Sequence, residues 1–171
     1  MAVTRENAWS KDDAADLYGL NRWSAGFFSI DDHGRLLVHP DRDPQQSICV
    51  PTCIDELIDR GLRPPILLRF NGILRRRLRD LDACFKEAIA KHQYESHYRC
   101  IYPIKVNQHR DVVREIVTES VRLGFGIEAG SKPELVAAIA MSSSNVPIVL
   151  NGFKDSSTIG LAMHAHRMGR T

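Results

Sequence analysis

The sequence lacks a long hydrophobic run. Its longest uninterrupted apolar stretch, Leu135 to Met141, is far too short to cross a bilayer, which takes about 20 residues. The residues from Met1 to Asp16 carry charges throughout and contain no apolar segment of the kind found in secretory signals. We therefore expect neither a membrane partner nor a signal peptide, and we predict a cytoplasmic protein.

The sequence also lacks paired zinc-type cysteines and a strong excess of one charge. The four cysteines are Cys49, Cys53, Cys84 and Cys100. They do not show CxxC spacing, so we expect reduced thiols used in packing. The formal net charge of the 171 residues is only +2, and the arginine-rich stretch 75–79 is followed at once by Asp80 and Asp82. This pattern predicts a solvated helix face and no nucleic-acid partner.

The chain contains two regions that differ in composition and in hydrophobic pattern, and we place the boundary between them at residue 63. Residues 1–63 are aromatic-rich and irregular, with a β-hairpin predicted where Phe27 to Ile30 and Leu36 to Val38 flank a polar turn. A short helix is predicted from Cys53 to Arg60, ending at Gly61. Residues 64–171 instead alternate apolar strands with amphipathic helices.

Four strand–helix units make up the second region. The strands are predicted at 66–70, 98–106, 125–129 and 147–151, and the helices at 73–89, 112–121, 132–141 and 157–168. Strands that alternate with helices imply a parallel sheet, either doubly wound or closed into a barrel. The glycines after residue 123 do not form the GxGxxG fingerprint of dinucleotide binding.

A polar residue ends each predicted strand, where reactive groups lie in such sheets. These residues are Arg69, Lys105, Glu128 and Asn151. Strand alternation places Lys105 on the face of Ile101 and Pro103 and would bring it close to Glu128 and Asn151. Burial inside a barrel would favour a neutral, reactive lysine amine. The pattern alone also allows a simple ion pair, or side chains that project into solvent.

Two other groups of residues have structural explanations. His164 and His166 lie two positions apart on a predicted helix and face different directions, so we assign no metal ligand and expect surface histidines. Ser131, Pro133 and Glu134 match a capping box, in which Ser131 caps the third helix and Glu134 bonds back. The free N–H groups of that helix could assist an anion.

Three motifs carry a resemblance to a known family. Residues 102–108 (YPIKVNQ) closely resemble the cofactor-lysine motif of biosynthetic arginine decarboxylases. Residues 126–135 (GIEAGSKPEL) and 151–155 (NGFKD) resemble the next two blocks of that family in the same order, with Phe153 where the family usually has tyrosine. The resemblance covers nearly the whole chain and is weakest before residue 20 and between residues 40 and 52.

The resemblance implies a fold, a cofactor and an activity. Residues 64–171 would form four units of an alanine-racemase-like (β/α)8 TIM barrel, its first half, and residues 1–63 would contribute strands of a β-domain. Pyridoxal phosphate would bind at the barrel mouth, covalently through Lys105, with Glu128 near it and Asn151 as a neighbour at a strand end. The implied reaction converts L-arginine to agmatine and carbon dioxide, a step towards polyamines. The resemblance also implies a homo-oligomer at full length, and the family is associated with magnesium.

The length of the chain limits these expectations. A complete barrel takes about 250 residues, so we expect a fragment that does not decarboxylate arginine alone. A related decarboxylase for diaminopimelate or ornithine would share the fold and the lysine. A barrel that binds pyridoxal phosphate without turnover, or a half barrel that acts only in assembly, also remains open.

Overall fold

The computed structural model describes residues 9–171, in two compact units that divide between Ile73 and Leu74. The first unit contains helices α1 (Lys11–Leu17), α2 (Leu20–Trp23) and α3 (Val50–Asp59), and strands β1 (Phe28–Ile30), β2 (Leu36–Val38) and β3 (Ile48–Cys49). The strands form an antiparallel sheet in the order β1-β2-β3. Helices α1 and α2 and strand β3 were not predicted from the sequence.

The predicted hairpin is confirmed, with Phe28 opposite Val38 and Ile30 opposite Leu36. Its turn is held by Asp31, whose Oδ1 accepts the backbone N–H groups of His33 and Arg35, each at 2.9 Å. A side chain that accepts nearby backbone N–H groups is the reason aspartate favours such turns. The predicted short helix is also confirmed as α3, and Gly61 follows it at φ +92°, which glycine adopts without strain.

The predicted strand at 66–70 is wrong. These residues have no regular secondary structure and form no ladder with any other described residue. A strand is stable only when a neighbour pairs with its backbone, and apolar composition does not provide that neighbour. The side chain of Leu67 is accordingly exposed.

The second unit is an α/β arrangement, as predicted. Helix α4 (Asn71–Lys91) leads into it from the first unit. Within it lie strands β4 (Ile101–Pro103), β5 (Gly126–Ala129) and β6 (Ile148–Leu150), and helices α5 (Arg110–Leu123), α6 (Lys132–Met141) and α7 (Ser156–Arg167). The three strands are parallel, in the order β4-β5-β6. No described helix is long and apolar enough to cross a membrane.

Helix α5 joins the two hydrophobic clusters of this unit. Val113 and Val117 pack with the apolar side of β5 and α6, in a cluster that includes Ile127, Leu135 and Ala138. On the neighbouring face of α5, residues 112 and 116 pack with residues 78 and 125. Residues 112, 113, 116 and 117 together form a wide apolar stripe along α5. The two clusters therefore pack against adjacent parts of the same helix.

The predicted apolar stripe of α4 is only partly buried. Leu78 is buried, but Leu81 and Phe85 are each 42% exposed. Phe85 instead stacks on Tyr98, with ring centroids 3.6 Å apart. Part of this stripe therefore has no covering element among the described residues.

Candidate functional site

Lys105 lies just beyond the end of strand β4, in a single 3-10 turn formed by Ile104–Val106. We call this segment the Lys105 turn. The expectation that β4 continues to residue 106 is wrong, because its pairing with β5 ends at Pro103 opposite Glu128. Beyond that point the chain buries Ile104 and leaves Lys105 exposed. Strand alternation therefore does not decide which way Lys105 faces.

The structure brings Lys105 and Glu128 together, as predicted. Lys105 Nζ lies 4.0 Å from Glu128 Oε1, and the two side chains are 63% and 20% exposed. A pair this long and this exposed adds little to stability. The buried environment expected for Lys105 is not found in the described part of the chain. The arrangement is an accessible amine beside a carboxylate, at the carboxyl edge of a parallel sheet.

Asn151 follows β6 at the same edge, but its side chain makes no hydrogen bond to any described residue. Its backbone N–H donates to the carbonyl of Ala129 at 2.9 Å. The next residue, Gly152, lies against Gly130 so closely that a Cβ would overlap the Gly130 carbonyl oxygen. The segments that follow β5 and β6 are therefore in direct contact. Arg69, the fourth predicted strand-end residue, is exposed in the first unit.

Glu134 makes a different contact from the one predicted. Ser131 caps α6 as expected, and its Oγ accepts the Glu134 N–H at 3.4 Å. In a capping box, the Glu134 carboxylate would accept the backbone N–H of Ser131. Here its Oε2 accepts the N–H of Gly130, one residue earlier, at 2.7 Å. Its other oxygen accepts the side-chain amide of Gln108 at 3.3 Å. Glu134 thus joins the ends of two neighbouring strand–helix units.

Tyr102 and Gln108 were not predicted as site residues. The Tyr102 hydroxyl donates to the carbonyl of Asn107 at 3.1 Å and so spans the Lys105 turn. Burial raises the pKa of Tyr102, which keeps its hydroxyl protonated. Gln108 also lines a cleft of about 290 Å³ with Arg110 and Ser131, which does not include Lys105. These contacts depend on the shape of the turn, which no local periodicity reveals.

The described residues offer no group of three histidine, cysteine or acidic side chains that could hold a metal ion. His164 and His166 are exposed on α7, as predicted. All four cysteines are free thiols, also as predicted, although Cys84 is exposed instead of packed.

The chain is similar to proteins named biosynthetic arginine decarboxylases. No protein-family profile matches it. A biosynthetic arginine decarboxylase of Rhodopirellula baltica is 61% identical over 170 residues, which are 99% of this chain and 25% of that protein. The corresponding enzyme of Geotalea uraniireducens is 43% identical over 162 residues, which are 94% of this chain and 26% of that protein.

A solved structure agrees with these relatives. The crystal structure of the biosynthetic arginine decarboxylase SpeA from Campylobacter jejuni matches the chain with a TM-score of 0.82 at 31% identity. The match covers 90% of this chain and 25% of that one. The chain therefore spans about a quarter of the length of the curated relatives it matches.

Proposed function

We propose that this chain, a homologue of the biosynthetic arginine decarboxylases over about a quarter of their length, supplies the cofactor lysine of an arginine decarboxylase. The observation that carries the proposal is the placement of Lys105, within the motif 102–108, beside Glu128 at the carboxyl edge of a parallel sheet. Catalytic groups of α/β barrels lie at this edge. The substrate under this proposal is L-arginine, and the products are agmatine and carbon dioxide.

The proposed architecture is half of an alanine-racemase-like barrel. Residues 64–171 would provide strand–helix units of this barrel, of which β4–α5, β5–α6 and β6–α7 are formed and the strand predicted at 66–70 is not. Residues 1–63 would provide strands of a neighbouring β-domain. The parallel order β4-β5-β6 and the antiparallel order β1-β2-β3 support this division. We further propose a homo-oligomeric enzyme of the cytoplasm at the head of a route to polyamines.

The residues at this edge fit pyridoxal phosphate as the cofactor. Covalent attachment needs an accessible amine, and the Lys105 side chain is 63% exposed beside an acidic neighbour. When bound, pyridoxal phosphate takes up the electron pair that remains after carbon dioxide leaves. Lys105 would hold the cofactor and give it up to the substrate amine, and Glu128 would keep the free Lys105 ammonium at the edge by charge attraction. Asn151 is proposed as a further neighbour of the cofactor.

Magnesium has no support in this chain beyond the resemblance. The described residues contain no set of three ligands, so we assign no magnesium-binding residue here.

The proposal is tested on the protein as its source cell makes it, by borohydride reduction followed by intact and peptide mass measurement. A pyridoxyl adduct on Lys105 is expected, and Lys105→Arg should abolish it. An adduct on another lysine, or no adduct on the folded protein, would contradict the assignment. Supplying arginine, ornithine or diaminopimelate separately then identifies the substrate by the decarboxylated product that forms.

A further inference from the structure

The Lys105 side chain makes too few contacts to fix the position of this residue. Its ion pair with Glu128 is long, at 4.0 Å, and most of the lysine side chain is in solvent. Ile104 is buried in the core on one side of it, but a turn of three residues has no regular ladder to hold it. The contacts that fix Lys105 must therefore come from neighbouring residues.

The first such contact crosses the turn. Tyr102 lies in β4, and its ring packs against the cluster formed by residues 78, 112, 116 and 125. Its hydroxyl donates to the carbonyl of Asn107, which follows the turn. One end of the turn is thereby tied to the other through a ring that is anchored in the core.

The second contact joins the turn to the neighbouring strand. Gln108 donates to one oxygen of Glu134, and the other oxygen of Glu134 accepts the N–H of Gly130. Gly130 directly follows β5, the strand that carries Glu128. The carboxylate of Glu134 therefore links the segment after Lys105 to the segment after Glu128.

We infer that Tyr102, Gln108 and Glu134 are positioning residues, which hold the Lys105 turn at a defined place beside Glu128. This inference rests on the proposed function, because it concerns the same lysine. If the turn moves, Lys105 is no longer held at a defined place where it meets the cofactor. At a limiting concentration of pyridoxal phosphate, the fraction of protein that borohydride traps as an adduct on Lys105 should then fall.

The test compares Tyr102→Phe and Gln108→Ala in the cofactor-loaded, full-length protein that carries this sequence. Tyr98→Phe is the matched control, because it removes a hydroxyl from a ring that packs in the same cluster without spanning the turn. The loss of one hydrogen bond predicts a kcat about fivefold lower for Tyr102→Phe and about twofold lower for Gln108→Ala, with KM little changed. The fraction of protein trapped on Lys105 at limiting pyridoxal phosphate should fall in both variants and stay unchanged in Tyr98→Phe.

The outcomes separate this inference from the function on which it rests. If the wild-type protein carries the cofactor on Lys105 and both variants are trapped to the same extent and turn over as the wild type does, the positioning role is refuted and the proposed function stands. If the wild type carries no cofactor on Lys105, both fail. If Tyr102→Phe does not fold, Gln108→Ala decides, because Gln108 is exposed and its truncation leaves the core intact.

Discussion

Glu119 is the most deeply buried acidic side chain of the described residues, at 1% exposure. Arg79 binds it with two nearly equal bonds, Nε to Oε2 and Nη2 to Oε1, both at 3.0 Å. Arg122, on the same helix as Glu119, adds a weaker contact at 3.5 Å. A buried carboxylate needs such partners, because water cannot solvate it. The pair therefore joins α4 to α5.

Replacing Arg79 with alanine should destabilise the protein by about 1–2 kcal/mol, since Glu119 would keep only its contact to Arg122. Arg114→Ala is the matched control, because Arg114 pairs with Asp111 at the surface of α5, where the two side chains are 57% and 50% exposed and the pair is worth less than about 0.5 kcal/mol. Urea unfolding of both variants measures the difference. Equal effects would show that the bond across the helices contributes no more than a surface pair.

The arginine cluster of α4 shows which side-chain contacts the sequence predicts and which it does not. The sequence predicts a solvated helix face, and the pairing of Arg76 and Arg77 with Asp80 within one turn of α4 agrees with that. Arg75 and Arg79 instead bind Glu115 and Glu119, each 40 positions away along the chain. Such pairs depend on how two helices pack, and no local window of sequence contains that information.

Among the elements, helices with clear start and stop residues were predicted best. Helix α6 has the predicted bounds, and α5 and α7 are followed by Gly124 and Gly169 in left-handed conformations. Strands were predicted less well, because a strand exists only where a neighbour pairs with it. Three of the four predicted parallel strands are present, each shorter than predicted. The shortening of β4 is what moves Lys105 out of strand geometry.

The close contact between the segments after β5 and β6 leads to a second prediction. Gly152→Ala should force those segments apart, because a Cβ would overlap the Gly130 carbonyl, at a cost of about 1–3 kcal/mol. Gly160→Ala is the control, since Gly160 lies within α7 with open space around it and alanine favours helices by about 1 kcal/mol. The thermal midpoint should fall for the first variant and stay or rise for the second. The reverse order would contradict the contact.

The N-terminal cap of helix α7 predicts how the stability of the protein depends on pH. Asp155 caps it, and its carboxylate accepts the N–H of Thr158 and the hydroxyl of Ser157. The Thr158 N–H, followed by the Ser157 hydroxyl, lowers the pKa of Asp155 from 3.8 to about 2. Because the pKa is lower in the folded state than in the unfolded state, this stabilisation is complete above pH 3.8 and is lost as the pH falls towards 2.

Asp155→Asn keeps a capping oxygen but cannot titrate, so it should flatten the loss of stability in this pH range. Thermal midpoints of the variant and the wild type, measured from about pH 5 down to about pH 2.5, provide the comparison. Asp155→Ala should be less stable than the wild type at the upper end of this range, because the cap itself is lost. Parallel curves for the wild type and Asp155→Asn would show that the capping carboxylate does not set this pH dependence.

At the scale of the whole molecule, the second unit presents surfaces that its own elements do not cover. Strands β4 and β6 are the two edges of its sheet, and the only described bond at the outer side of β6 runs from the Ile148 N–H to the carbonyl of Thr171. Phe153, just beyond β6, is 92% exposed. Unpaired strand edges and exposed aromatic side chains favour association with further polypeptide. The relatives are about four times as long as the stretch they share with this chain.

The 171-residue chain on its own should therefore associate with itself and form no agmatine from arginine. Sedimentation velocity at increasing concentration should show a rising average mass, because parallel edges and Phe153 find partners in other copies. The double substitution Phe153→Ser and Val149→Lys, the latter on the edge strand β6, should reduce that association. Agmatine formation, followed with pyridoxal phosphate added, should stay at the level of the Lys105→Arg control, since the chain supplies a lysine and a carboxylate but only three formed strand–helix units of the proposed barrel. Turnover above that control would mean that these residues assemble a complete site, in one copy or between copies.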